Sequence, residues 1–141
     1  MGWQSDVAVG FAQLLDAAGV GTWDPDGSTG NIYLGELPPD ACPGIGIQTY
    51  RAGTDDPANP TTQLRIQFWL RAATVGEIDD LDSALYDHVH GLQNLAMGAA
   101  MLTDCASYSS IPMGLDGNGN RERACNYTLQ LDLPATALRS Y

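Results

Sequence analysis

The sequence predicts an α+β fold: a mixed, largely antiparallel sheet with two main helices packed on one face, forming a single domain over residues 1–141. Three observations lead there. Segments 5–21 and 74–93 repeat their apolar residues at helical spacing. Segments 64–72 and 121–133 alternate apolar and polar residues, as strands wet on one side do. The order helix, strands, helix, strands also lacks the βαβ rhythm of a parallel sheet.

The first helix is expected in "SDVAVGFAQLLDAAGVG", residues 5–21, where Val7, Phe11, Leu14, Leu15 and Ala18 form one apolar stripe. Ser5 suits the N-cap, and Gly19 suits the left-handed position just past the end. Gly10 inside the helix should cost about 1 kcal/mol relative to alanine unless something packs closely against it. Residues 22–44 are rich in turn formers, with Ile32–Leu34 as a short strand. "IGIQTYRA", residues 45–52, reads as a strand with Ile45, Ile47 and Thr49 on one face, and 53–63 as a polar loop.

"LRIQFWLRA", residues 64–72, is the clearest strand. Leu64, Ile66, Phe68, Leu70 and Ala72 point one way; Arg65, Gln67, Trp69 and Arg71 point the other. The second helix opens with Thr74 and Glu77 as a capping box and buries Ile78, Leu81, Leu85, Val89 and Leu92. Asp79, Asp80 and Asp82 lie in its first turns, where the helix dipole favours negative charge. Residues 101–110 read as a strand, 114–120 as a turn, and 121–133 as a strand with Tyr127, Leu129, Leu131 and Leu133 inward. Asp116 to Asn120 tolerate the positive φ of a hairpin reversal. The tail "ATALRSY" needs a partner to be ordered.

Composition excludes several classes of function. Six arginines, no lysine and seventeen carboxylates give a formal charge of −11, which repels free phosphate backbone and disfavours nucleic-acid binding. Three cysteines, Cys42, Cys105 and Cys125, match no zinc spacing and read as buried reduced thiols of a protein made in cytoplasm. No apolar run reaches the roughly 20 residues needed to cross a bilayer, so a membrane role is not expected.

Constellations suggestive of chemistry have simpler readings. Ser83, Asp87 and His90 are spaced along one helix and cannot converge as a triad; they form a solvated face. His88 and His90 point about 200° apart and cannot share a metal. "DPDGSTGN", residues 24–31, lacks the glycine and glutamate of a calcium loop at the required positions and reads as an Asx-type turn. Cys105 and Cys125 read as packed small hydrophobes. No catalytic, cofactor-binding or metal residue is therefore assigned.

The polar side of 64–72 is more informative. A wet tryptophan forfeits burial energy, and Trp with Arg is the pairing enriched in binding hot spots. Either a segment of the same chain covers Arg65, Trp69 and Arg71, or a partner does. Arg121 and Arg123, scarce cations at a turn-to-strand junction, are expected to pair with carboxylates of a neighbouring subunit. These five residues form the expected subunit or partner interface.

Four stretches together resemble the tail terminator (minor capsid or tail-completion) proteins of long-tailed bacteriophages. They are the helix ending "LLDAAGVGTW", the strand "IGIQTYRAG", the strand "LRIQFWLRA" leading into "IDDLDSALYDHVHGL", and the closing "GNRERACNYTLQL". The likeness covers most of the chain as pattern. Similarity to the lambda tail terminator implies a non-enzymatic virion protein, without cofactor, that forms a ring of six copies at the tail–neck junction. The ring would cap the tail tube and meet the head–tail connector protein, while DNA passes through its lumen. Two alternatives stand beside this: a head-completion or connector protein of the neck, and a small α+β ligand-binding domain or enzyme.

Overall fold

The computed structural model describes residues 2–27 and 29–136. In chain order it contains α1 (Trp3–Ala17), β1 (Ile32–Leu34), β2 (Gly44–Arg51), β3 (Thr61–Ala72), α2 (Val75–Val89), β4 (Leu95–Met97), β5 (Ala100–Leu115) and β6 (Arg121–Asp132). The strands form one six-stranded sheet in the order β1-β2-β3-β6-β5-β4. Among the described strands, β1 and β2 run parallel and the other neighbouring pairs are antiparallel. This is the α+β architecture the sequence predicts.

Both helices pack on the face that carries Leu64, Ile66, Phe68 and Leu70, all fully buried. From α1 come Val7, Phe11 and Leu15, and from α2 Ile78, Leu85 and Val89. Phe68 lies at the centre, edge-on to Phe11 at 5.8 Å and to Tyr127 of β6 at 5.5 Å. Such pairs add about 0.5–1.5 kcal/mol beyond the area they bury. The opposite face is open and concave: the sheet curls until the hydroxyls of Tyr50 on β2 and Tyr108 on β5 meet at 3.0 Å, with β3 and β6 between them.

Several local expectations hold. Thr74 caps α2 by accepting from the Glu77 amide at 3.2 Å, and Glu77 reaches back to the Ala73 amide. Gly19 takes φ 75° past the end of α1. Gly10 does have a close neighbour: a Cβ there would lie 3.2 Å from the Met97 side chain. The 24–31 loop is built on Asx-type bonds, with Asp24 accepting from the amides of Asp26 and Thr29.

Others are corrected. The first helix begins at Trp3 and ends at Ala17; Gly2 is its N-cap, no side chain caps it, and Ser5 is already helical. Cys42 is exposed, whereas Cys105 and Cys125 are buried as expected. Strand β5 runs on through Leu115, five residues past its expected end at 110. β4, which no sequence signal marked, closes one edge of the sheet. Of the tail, 137–141 lie outside the described residues.

Candidate interface

The five arginine and tryptophan residues separate onto the two faces of the sheet. The odd-numbered residues of β3 point to the open face, so Arg65, Trp69 and Arg71 share it as expected. On β6 the alternation that turns Tyr127 towards the helices also turns Arg123 that way, since it pairs with buried Leu70.

Arg71 is 7% exposed and is enclosed by acceptors of its own chain. Its Nη1 donates to the carbonyls of Pro38 at 2.7 Å and Ala41 at 3.1 Å. Nη2 donates to Glu122 Oε2 at 3.1 Å, and Nε faces Asp116 Oδ2 at 3.1 Å. Arg71 therefore fastens the 35–43 loop and the β5–β6 turn to the sheet. A second clamp holds that turn: Asp116 Oδ1 accepts from the amides of Asn118 and Asn120 at 2.8 Å each. Burial pushes the Asp116 carboxyl up, but those bonds and Arg71 hold it below its ordinary value.

Trp69 donates from Nε1 to the same Glu122 oxygen at 2.6 Å and remains half-buried. It lines a cleft of about 310 Å³ between the 35–37 segment and the sheet, with Gln48, Gln67 and Glu36. Gly46 lets that segment pass close over β2: a Cβ there would lie 2.8 Å from the Gly35 carbonyl oxygen. Further along β3, the Arg65 guanidinium rests 4.8 Å from the centroid of the Tyr108 ring. Burial lifts the Tyr108 hydroxyl's pKa and the Tyr50 hydrogen bond adds to it, while Arg65 opposes.

On the helix side, Arg123 pairs with carboxylates of its own chain. It donates to Asp79 at 2.6 Å and to Asp82 at 2.9 Å, both on α2. Asp82 also accepts from Ser110 at 2.7 Å and from the Cys125 thiol at 3.3 Å. Burial pushes its carboxyl up; the bonds from Ser110, Arg123 and Cys125 outweigh that and hold it low. Two of the three aspartates at the start of α2 are thus the partners of Arg123. Arg121 is exposed and, among the described residues, makes no ion pair.

The two buried thiols carry no reactive character. Burial pushes Cys105 up to about 12, and burial followed by the charge of Asp82 pushes Cys125 up to about 12. His90 stacks on Tyr86 at 4.6 Å and its Nδ1 accepts from the Ser107 amide, which fixes the end of α2 against β5.

The family described as bacteriophage tail terminator protein matches residues 14–133. A chain in the solved structure titled "Virion of native gene transfer agent (GTA) particle" has a similar fold, with a TM-score of 0.61 at 12% identity. The likeness covers 86% of this chain and 84% of that one. No curated protein matches the sequence. The family match spans most of the chain, and the chain belongs to the bacteriophage tail terminator family, as a structural, tail-related virion protein.

Proposed function

We propose that the protein caps the phage tail tube as a ring of six copies, ends tube polymerisation and joins the tail to the head connector. The observation that carries this is the family match over residues 14–133. Elementary assembly physics supports it: head-to-tail contacts whose rotation closes give a ring rather than a filament, and a closed ring on the tube end leaves no site for another tube layer. The open face of the sheet, with half-buried Trp69 above its cleft and Arg65 beneath the two tyrosines, is the proposed contact surface for a neighbour or the neck. Arg71 supports that surface from below, and Arg123 ties the back of β6 to α2.

The charge supports a passive lumen. With −11 overall, and with Arg71 and Arg123 already ion-paired, few cations remain to hold phosphate, so DNA would traverse the ring without sticking.

Removing the gene from the phage and imaging the lysate tests the reading. Tails of irregular, overgrown length without heads are expected. Tails of normal length that merely fail to join heads would assign the chain to head completion instead.

A further inference from the structure

The tip of the β5–β6 hairpin exposes several apolar side chains. Ile111 is 49% exposed, Met113 47% and Leu115 57%; Val75 at the start of α2 is 51% exposed. Val75 shares a depression with Pro112 and Arg121, the exposed cation that makes no ion pair among the described residues. Among the described residues, no further strand borders β5 beyond Leu102, where its pairing with β4 ends. The outer edge is blunted nonetheless. Pro112 offers no amide, and irregularities interrupt the register at Ser107/Ser109 and Pro112/Gly114. Proline and bulges on an edge discourage open-ended backbone pairing. What the tip offers a partner is therefore apolar side chains with one cation at the rim.

We infer that this tip docks onto the acidic surface of a second copy of the chain, burying Ile111, Met113 and Leu115 and pairing Arg121 with a neighbour's carboxylate. Charge complementarity selects the occupant. The chain bears seventeen carboxylates against six arginines, and Asp16, Glu36, Asp40, Asp80 and Asp87 are exposed with no ion-pair partner among the described residues. A chain so acidic repels its copies unless the contact brings a cation to a carboxylate, and Arg121 is placed to do that. The blunted edge adds selectivity: the contact rests on side chains, so copies do not zip into an endless sheet. This inference deepens the ring reading and rests on it.

The test compares wild type with Met113→Asp/Leu115→Asp and with Arg121→Glu in sedimentation equilibrium, alone and with purified tail tube. Leu34→Ser, an exposed apolar residue on β1, serves as control. Thermal melts should be unchanged, because the altered side chains are exposed. The expected result is self-association of wild type and Leu34→Ser, weakened about thirty-fold by either hairpin variant. The Arg121→Glu defect should shrink in high salt as screening removes the new repulsion. Unchanged self-association of the hairpin variants overturns the docking inference while leaving the ring reading standing. Intact rings that no longer bind tube assign the tip to the tube and also overturn it. Wild type that stays monomeric with and without tube overturns both.

Discussion

Arg71 is the side chain with the most to lose. It neutralises two carboxylates, Asp116 and Glu122, that are themselves largely covered, and it satisfies two loop carbonyls. Removing one partner of a buried pair leaves the other charged and unsolvated, which typically costs about 3–5 kcal/mol. Arg71→Ala is expected to lose that much in urea unfolding. Asp82 gives a pH-dependent counterpart. Its folded pKa lies below the ordinary aspartate value, so its contribution is fully present above that ordinary value and disappears as pH falls through the folded value. Asp82→Asn should be less stable at pH 7, and its stability should fall less steeply than wild type's as pH drops below the ordinary aspartate range in acid titrations followed by circular dichroism. Cysteine labelling separates the thiols: a native protein treated with a thiol reagent should modify Cys42 alone, and Cys105 and Cys125 only after unfolding. Modification of all three in the native state would contradict their burial.

At the scale of elements, strand alternation made β3 and β6 legible, and the capping box made α2 legible. Thr74→Ala should cost about 1 kcal/mol, read from the same urea unfolding, because one amide at the helix start loses its acceptor. The misread elements failed for identifiable reasons. "IPMGL" at the end of β5 carries a proline and a glycine that resemble breakers, yet an outer edge tolerates both. β4 is three residues long, too short for any period to register. α1 starts at Trp3 without a side-chain cap, so Ser5 was a false marker. The site was half legible. The parity of β3 grouped Arg65, Trp69 and Arg71 correctly. Carrying the parity of Tyr127 back to Arg123 points that arginine at the helices, where Asp79 and Asp82 wait one face away. The Arg71–Glu122–Trp69 linkage had no such signal, because the pairing of β3 with β6 sets its register and two strands far apart in sequence do not reveal it.

For the molecule as a whole, the helices and core cover one face of the sheet, while the other face is curled and more open. Internal pairing commits two of its six cations, Arg71 and Arg123, to four carboxylates, and the remaining groups still carry a large formal negative charge. Charge of this size disfavours non-specific contact between copies. The claim on which the account turns is that these subunits close over the end of a tail tube. Adding purified protein to tube protein growing in vitro, and measuring tube lengths by electron microscopy over time, tests it most directly. The account predicts that elongation stops at one end and that those tubes carry a terminal ring; continued growth at the untreated rate, with bare ends, would contradict it.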